Sequence, residues 1–252
     1  MIISDANRYV FIEVPQTAST AIALELIRNY QGRRILRRHT GYDEFRRTAS
    51  SDEKQYRVLA TIRNPLDVVV SKFVKARDKY GELYGEQRLA GAPWGYRFRQ
   101  EARELAFIEK HGPDFERFVR RFFKHVFNSR TCLLPSHAHV LRYESLDDDF
   151  ASWLHSIGLK PLGPILRTNT TEGRGSDFAA WYTGGLRAHA SRVFGPYLRE
   201  WGYELPAGWP EIDPSVVDRA MFHADTVLRR FYFRHLHYGW IMPRAAKPKR
   251  SG

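Results

Sequence analysis

Three hydroxyl side chains lie close together near the start of the chain. Thr17, Ser19 and Thr20 follow a short apolar run that predicts a buried strand, Tyr9–Val14, and precede a run of good helix formers that continues to Tyr30. The first N–H groups of a helix lack partners within the helix and lie at the positive end of its dipole. A strand, a hydroxyl-rich turn and a helix therefore predict a site for a phosphate or a similar anion.

Two other interpretations of this stretch can be weighed against the anion site. Ser19 or Thr20 could serve only as the N-cap of a helix packed on a sheet, because one hydroxyl is enough for a cap. A Walker A loop requires glycines and a Lys-Ser or Lys-Thr pair. The segment from Glu13 to Thr20 contains neither a glycine nor a lysine. An ordinary ATP- or GTP-binding P-loop is therefore not expected.

The chain is strongly basic. Its 252 residues include 40 Lys plus Arg against 28 Asp plus Glu, which gives a formal net charge of +12, and 43% of them are hydrophobic. This length suits one large α/β domain with a sizeable core. The charge suits an anionic partner such as a nucleotide, an acidic glycan, a nucleic acid or a membrane surface. The basic residues are densest in one group, made of Arg33, Arg34, Arg37, Arg38, Arg46 and Arg47. This group could be a substrate patch or a solvated face.

The cysteine content and hydropathy bound the class of protein. The single cysteine, Cys132, excludes an internal disulfide and is expected to be a small buried hydrophobe rather than a nucleophile. No signal-peptide pattern opens the chain, and no apolar run approaches the roughly 18–20 residues of a membrane span. A cytoplasmic protein without a membrane span is therefore expected.

Alternating strands and helices predict the fold. Strands are expected at Tyr9–Val14, Tyr56–Ile62 and His139–Tyr143, with a weaker candidate at Arg34–Arg37. Each of the three clear strands is followed by a helical pattern. This alternation predicts an α/β fold of three layers, α/β/α, with a central parallel sheet.

The remaining pattern predicts helices and loops. Thr40 is placed to cap a short helix through Asp43–Phe45, and Tyr80–Tyr96 is expected to be a long functional loop. Longer helices are expected at Arg99–His111, Asp114–Phe127, Leu186–Trp201 and Val216–His237. We divide the chain into a main domain (1–210), a C-terminal helical extension packed on it (211–244) and a disordered basic tail (245–252).

Four separated stretches resemble segments of the sulfotransferases that use 3′-phosphoadenosine 5′-phosphosulfate (PAPS). VPQTAST at Val14–Thr20 is similar to their 5′-phosphosulfate loop, usually VPKTGST or YPKSGTT, and RNPLDVVVSKF at Arg63–Phe73 is similar to their 3′-phosphate segment. LRYESL at Leu141–Leu146 resembles their YExL strand and helix, and NTTEGRGSDFAAWYTGGL at Asn169–Leu186 their C-terminal nucleotide loop. The four stretches also follow one another in the same order as in that family. The resemblance implies a P-loop NTPase-like sulfotransferase fold, closest in motif style to the carbohydrate sulfotransferases.

The resemblance also implies which residues bind the donor. At the 5′ end they are Gln16, Thr17, Ala18, Ser19 and Thr20. At the 3′ end the Arg63 guanidinium can bind a terminal phosphate bidentately, and Ser71, eight residues later, can add a hydroxyl. Arg63 could instead be a strand-end arginine paired with Asp67. Arg174 and Gly175 stand where relatives have an Arg-Lys-Gly triplet. No metal is implied.

Gln16 departs from the family pattern. Relatives have a lysine there, which donates to the bridging oxygen of the leaving group. The loss of such a charge-assisted contact costs on the order of 2–4 kcal/mol of transition-state stabilisation. Another cation could replace the lysine, the enzyme could be slow, or the nucleotide site could remain without turnover. The candidate replacements are Lys72, Lys75 and the arginines of 33–38.

His39 is the predicted general base. It opens HTGYDEF, which resembles the stretch of glycan 2-O-sulfotransferases whose histidine takes the acceptor proton, and its ordinary pKa suits that task. It could instead be a surface or capping histidine. Glu13 is the reserve base, since some glycosaminoglycan-type members use a carboxylate. His137 and His139 have no positional match.

Two functions follow from these residues. The first is transfer of a sulfuryl group from PAPS to a hydroxyl, of a carbohydrate or another small-molecule acceptor, with adenosine 3′,5′-bisphosphate (PAP) as product. The second is an inactive binder of PAP or of an anionic glycan, suggested by Gln16. Nucleic acid is not an expected partner, because no recognition module appears and the basic residues do not line one segment.

Overall fold

The computed structural model describes residues 1–78, 96–166, 175 and 177–236, with only the backbone described for residues 96–99 and 236. The chain divides into two compact units, each assembled from several segments. The first contains residues 1–63, 128–169 and 223–252, and the second contains 64–127 and 170–222.

The first unit contains a five-stranded mixed sheet. Its strands are β1 (Ile2–Ser4), β2 (Tyr9–Ile12), β3 (Arg33–Arg34), β4 (Arg57–Ile62) and β5 (His139–Arg142), in the order β3-β1-β2-β4-β5. The three strands expected from clear apolar runs, β2, β4 and β5, are parallel and adjacent. The α/β fold is thereby confirmed, while the sheet is parallel only from β2 to its edge strand β5.

The antiparallel edge of the sheet was not expected from the sequence. β1 pairs antiparallel with β2, with Ile3 opposite Val10, and β3 pairs antiparallel with β1. β1 is only three residues long and is followed by a turn in which Arg8 has a φ of 51°. A three-residue apolar run is too short to show a strand period, which explains why it escaped prediction.

One face of the sheet is covered by helices α1 (Ser19–Asn29) and α6 (Leu146–Ser156). Ile22 and Leu26 of α1 pack with Tyr9 of β2 and Trp153 of α6, all at most 1% exposed. The alternate side chains of the central strands, such as Val10, are buried as well. Burial on both faces explains why these strands are continuous apolar runs.

The first unit also contains a short helix and several 3₁₀ turns. Helix α2 (Tyr42–Thr48) begins after Gly41, so Thr40 does not cap it; the Thr40 hydroxyl donates to the Arg37 carbonyl instead. Short 3₁₀ turns occur at Glu53–Gln55, Arg130–Leu133 and Tyr143–Ser145.

The second unit is a cluster of helices. Its members are α3 (Pro65–Asp78), α4 (Tyr96–His111), α5 (Phe115–Phe122) and α7 (Gly185–Glu200), with a 3₁₀ turn at Ala179–Trp181. α3 presents Val69, Val70 and Phe73 to an apolar core. The Tyr182 hydroxyl, fully buried, donates to the Leu66 carbonyl at 2.9 Å and ties the start of α3 to this core.

A last helix, α8 (Val216–Phe231), ends in a π-turn at Tyr232–Leu236. Within the first unit, Asn128 donates to the Thr226 hydroxyl at 2.7 Å, and Arg230 donates to the Cys132 carbonyl at 2.9 Å. Burial raises the pKa of Cys132 to about 11, in keeping with an unreactive thiol.

Several expectations fall wholly or partly outside the described residues. These are most of the loop at 80–96, most of the late nucleotide loop including Arg174, and the tail at 245–252. Among the described helices, none is long and apolar enough to cross a membrane. The division into 1–210, 211–244 and 245–252 remains a prediction.

Candidate functional site

Two polar segments meet where the neighbouring strands β2 and β4 end. The strands are parallel, with Tyr9 opposite Arg57 and Ile12 opposite Ala60, so their carboxyl ends lie at the same edge of the sheet. The Thr17 and Thr61 hydroxyls lie 2.6 Å apart in a buried position at this edge. The loop after β2 is thereby fixed against the end of β4.

The loop Val14–Thr20 has the backbone geometry of an anion site. Gln16 and Ala18 have φ angles of 67° and 58°, and helix α1 begins directly after Ala18. Within the described part of the chain, the amide groups of residues 17–20 have no hydrogen-bond acceptor. Free amides in a turn of this kind, at a helix N-terminus, favour a phosphate or a phosphosulfate.

The hydroxyl groups of the loop do not cap α1. Its N-cap is Ala18, which makes no side-chain cap bond. Thr17 and Ser19 both donate to the Val14 carbonyl, at 2.9 and 2.7 Å, and both are buried. The loop is therefore closed by its own side chains, and the simple capping interpretation of Ser19 or Thr20 is wrong.

Arg63 lies beside this loop. It follows β4, is 9% exposed, and places its guanidinium carbon 4.2 Å from the ring centre of Tyr143. Its Nη1 donates to the Gln16 carbonyl at a long 3.5 Å. A guanidinium stacked on an aromatic ring keeps its plane fixed, which suits bidentate recognition of a phosphate. The loop and Arg63 are thus brought to one edge, as the sequence pattern requires.

Gln16 contributes its backbone more than its side chain to this arrangement. The residue is exposed, and its backbone supplies the left-handed turn and the carbonyl that Arg63 contacts. The amide side chain carries no charge. No lysine or arginine belongs to the loop itself.

His39 is brought close to the strand end by a tight turn. Its Nδ1 lies 2.8 Å from the Glu13 carbonyl oxygen, and its own carbonyl accepts from Arg130 Nη1 at 3.0 Å. A carbonyl can only accept, so Nδ1 carries the proton and Nε2 presents its lone pair in the neutral ring. Among the described residues, none forms a hydrogen bond to Nε2.

The surroundings of His39 favour its neutral form. Burial lowers the pKa of the imidazole, the bond to the Glu13 carbonyl opposes this, and Arg38 and Arg130 lower the pKa further. The ring lines a small cleft together with Val14, Thr40 and Arg130. A neutral imidazole with a free Nε2 beside a cleft has the properties of a general base.

Glu13, the reserve base, is already engaged by cations. Its side chain is fully buried and pairs with the amino group of Met1 at 2.6 Å and with Arg34 at 3.0 Å, and Arg38 Nε lies 3.6 Å away. Burial alone would raise the pKa of Glu13, but these positive groups outweigh it and the pKa is lowered. A carboxylate held this way is a poor proton acceptor, so the geometry favours His39 over Glu13.

Three predicted binding residues belong to the second unit or lie outside the described chain. Ser71 is buried on α3, about two turns from its start. Gly175 is exposed with a φ of 74°, a conformation that favours glycine. Arg174 is not among the described residues. Their roles remain predictions from the sequence pattern.

The buried ion pair of Lys72 bears on the search for a replacement cation. Lys72 Nζ lies 2.7 Å from Glu104 Oε1, and both side chains are largely buried. Burial raises the pKa of Glu104, although Lys72 acts in the opposite direction. The charge of Lys72 is therefore already compensated within the second unit.

The comparisons with known proteins agree with this geometry. Residues 2–158, more than half of the chain, match the family model of the Sulfotransferase domain. The chain belongs to the Sulfotransferase domain family. Searches of curated proteins and of solved structures gave no match.

Membership in the Sulfotransferase domain family indicates a transferase of sulfuryl groups. The matched region contains the loop 14–20, His39, Arg63 and the segment around Tyr143. Among the described residues there is no cluster of His, Cys, Asp and Glu that could hold a metal ion.

Sequence reasoning did not identify Arg130 and Tyr143 as site residues. Arg130 lies in a 3₁₀ turn outside every predicted element, and its contact with His39 spans 91 positions. No local pattern points to it. Tyr143 stands in LRYESL directly after β5, so its place at a strand end was the one available signal.

Proposed function

We propose that this sulfotransferase-domain protein moves a sulfuryl group from PAPS to the hydroxyl group of a carbohydrate. The observation that carries the proposal is the contact of Arg63 with the Gln16 carbonyl, which puts a guanidinium beside a loop whose amides have no acceptor among the described residues. Two anion-binding elements at one sheet edge suit a ligand with two phosphate-bearing ends. PAP and PAPS have that character.

The residues of the first unit fit the donor. Among the described residues, none accepts a hydrogen bond from the amides of residues 17–20, which suits them to the 5′-phosphosulfate, and Arg63 Nη1 reaches this loop at the Gln16 carbonyl. When bound, PAPS supplies a sulfuryl group on a good leaving group. Ser71, Arg174 and Gly175 are proposed to complete the 3′-phosphate site on the strength of the sequence pattern alone. Positioning and charge stabilisation supply most of the rate in such transfers.

His39 is proposed to accept the proton of the attacking hydroxyl. As the hydroxyl oxygen bonds to sulfur, its proton passes to His39 Nε2. The sulfur–oxygen bond to the 5′-phosphate breaks, its electron pair stays on the phosphate oxygen, and PAP and the sulfate ester are released. The Glu13 carbonyl holds Nδ1–H throughout, which stabilises the imidazolium that forms.

A carbohydrate is proposed as acceptor for two reasons. The stretch HTGYDEF resembles that of glycan 2-O-sulfotransferases, and the net charge of +12 suits an acidic saccharide. The cleft beside His39 is also lined by Arg130, whose positive charge suits an anionic acceptor.

A second candidate is a binder of PAP or of an anionic glycan that does not catalyse transfer. The observation that favours it is Gln16, which is exposed and uncharged at the position of the family lysine. This candidate shares the nucleotide site with the first and differs only in turnover.

One experiment separates the two candidates. The purified full chain is titrated with PAP by calorimetry and then given ³⁵S-labelled PAPS with a panel of chitooligosaccharides, desulfated heparan and chondroitin chains, and 4-nitrophenol. Label on a saccharide supports the first candidate, and PAP binding without transfer to any acceptor supports the second. Label on 4-nitrophenol alone would contradict the carbohydrate assignment. No PAP binding would contradict the first candidate and, of the second, the form that binds PAP.

A further inference from the structure

The loop that should meet the donor's sulfated end lacks a positive side chain. Residues 14–20 contain no lysine or arginine, and Gln16 is neutral. Sulfuryl transfer builds negative charge on the oxygen that leaves with the nucleotide. Amide dipoles alone stabilise this charge less than a cation would, because hydrogen bonds to charged groups are roughly twice as strong as neutral ones.

A cation reaches the loop from another segment. Arg38 Nη2 donates to the Thr20 hydroxyl at 2.5 Å, although the two residues are 18 positions apart. Arg38 is 51% exposed at its side chain, so the guanidinium lies at the mouth of the loop rather than in the core. Thr20 is the last residue of the loop and belongs to the first turn of α1. The contact therefore sets a positive charge beside the free amides.

The local charge balance leaves this guanidinium available to an anion. Arg38 Nε lies 3.6 Å from Glu13 Oε1, but Glu13 is bound more closely by Arg34 at 3.0 Å. The Glu13 carboxylate thus lies near two guanidinium groups, those of Arg34 and Arg38, in addition to the Met1 amino group. The excess positive charge lies on the loop side, at Arg38.

The same turn carries the proposed base. Arg38 and His39 are consecutive, His39 has a φ of 63°, and the Thr40 hydroxyl closes the turn onto the Arg37 carbonyl at 2.7 Å. The left-handed conformation directs the two neighbouring side chains to different partners, Arg38 to Thr20 and His39 to the Glu13 carbonyl. One turn therefore delivers both a cation and a base.

We propose that Arg38 supplies the positive charge for the 5′-phosphosulfate end of the donor, in the place that Gln16 leaves neutral. This rests on the proposed function, because it assumes that the loop binds PAPS and PAP. Arg38 contacts the 5′-phosphate in the bound state and stabilises the charge on the leaving oxygen. Arg63, in contrast, serves the 3′-phosphate.

The test compares two nucleotides and two arginines. Calorimetry measures the affinity of the full chain for PAP and for adenosine 3′-monophosphate, which lacks the 5′-phosphate. Arg38→Ala should weaken PAP binding by about tenfold to a hundredfold, the range for one charge-assisted bond, and leave adenosine 3′-monophosphate within about twofold. Arg46→Ala removes the same charge from an exposed position on α2 and should change neither affinity.

A charge-transplant variant provides the second readout. In the double variant Arg38→Ala with Gln16→Lys, the loop regains a cation and PAP affinity should recover to within about threefold of the wild type. Circular dichroism of each variant verifies the fold, and Arg38→Gln serves if Arg38→Ala does not fold.

Each outcome separates this inference from the function it rests on. Wild-type chain that does not bind PAP overturns both. Wild-type chain that binds PAP while Arg38→Ala binds it equally well, or weakens both nucleotides alike, overturns the role of Arg38 alone. A selective loss of PAP binding that Gln16→Lys does not restore also overturns it, because the loss would then not be one of charge at the loop.

Discussion

The loop Val14–Thr20 and the turn Arg37–Thr40 belong to the same candidate site and differ in the groups that they contribute to it. The loop offers backbone amides and carries no charged side chain, while the turn offers two chemically active side chains, Arg38 and His39. Both contain residues in the left-handed region, two in the loop and His39 in the turn. The loop is bonded to a strand of the sheet through the Thr17 and Thr61 hydroxyls. The turn is bonded to a 3₁₀ turn through Arg130 and the His39 carbonyl.

The two proposals assign the shape of the candidate site to the loop and its charge to the turn. The shape of the loop depends on hydroxyl bonds from Thr17 and Ser19 to one carbonyl, and these tolerate a neutral Gln16. Charge acts over several ångströms and can come from any segment that reaches the same point. The predictions below test this division, from the largest expected effect to the smallest.

Removal of the base should have the largest effect. His39→Ala is expected to lower sulfuryl transfer by about 10²–10⁴-fold, the usual contribution of a general base, and to leave PAP affinity within about twofold. Transfer of ³⁵S label and calorimetry measure the two quantities. His125→Ala, at an exposed position of the second unit, is the matched control. If the transfer rate of His39→Ala equalled that of His125→Ala, the proposed role of His39 as the general base would be contradicted.

Removal of Arg63 should affect binding rather than the proton transfer. Arg63→Ala is expected to weaken both PAP and adenosine 3′-monophosphate by about tenfold to a hundredfold, because both carry the 3′-phosphate. Calorimetry with both nucleotides measures this. Arg57→Ala, at the exposed start of the same strand, should bind as the wild type does. If Arg63→Ala weakened PAP alone, the two phosphate sites would be assigned the wrong way round.

The pH dependence of transfer reports on the same imidazole. Because the pKa of His39 is lowered from its ordinary 6.5, most rings carry an unprotonated Nε2 at pH 6.5 and above. As the pH falls through this lowered pKa, the ring gains a proton and transfer should drop by about tenfold per pH unit. A pH profile of kcat/KM for the donor checks this, because that quantity reports the pKa of the free enzyme. A midpoint at or above pH 6.5 would contradict the neutral, partly buried ring.

Arg130 is expected to act as a positioning residue. It donates to the His39 carbonyl and its guanidinium carbon lies 4.8 Å from the ring centre of Phe233. Arg130→Ala should lower the transfer rate by about threefold to tenfold, as for one lost hydrogen bond, and leave PAP affinity unchanged. It should also move the pH profile to higher pH, because Arg130 lowers the pKa of His39. Arg117→Ala on α5 is the control; a rate loss without the pH shift would contradict this role.

The smallest effect concerns the shape of the loop. Ala18 has a φ of 58°, where an L-residue with a Cβ is strained and glycine is not. Ala18→Gly should therefore stabilise the protein by about 0.5–1 kcal/mol in urea unfolding. Ala188→Gly, inside helix α7, should destabilise it by about 1 kcal/mol. A loss of stability in Ala18→Gly would show that the loop does not adopt this conformation.

The parts of this protein that depend on local pattern were predictable from the sequence. The apolar runs that form β2, β4 and β5 have the length and composition of buried strands, and the family motifs follow their ends. β1 is the exception, since its three residues gain their structure only by pairing with β2. The α/β fold and the family could therefore be predicted from the sequence.

The details of the candidate site depend on contacts between distant segments. Nothing in the sequence around Arg38 singles it out from Arg34 or Arg37, and its contact with Thr20 exists only once β2, β3 and α1 are folded together. The engagement of Glu13 by cations is likewise a product of folding, and it lowers the value of that residue as a base. Electrostatic contacts between distant residues leave no periodic pattern in the sequence from which they could be predicted.

The most direct test of the account is a calorimetric comparison of three nucleotides with the unaltered chain. PAP, adenosine 3′-monophosphate and adenosine 5′-monophosphate are titrated in turn at the same ionic strength. The account predicts that PAP binds one molecule per chain and at least about tenfold more tightly than either monophosphate, because each phosphate contributes a charge-assisted contact. PAP binding no tighter than the better monophosphate would contradict two phosphate sites at one sheet edge.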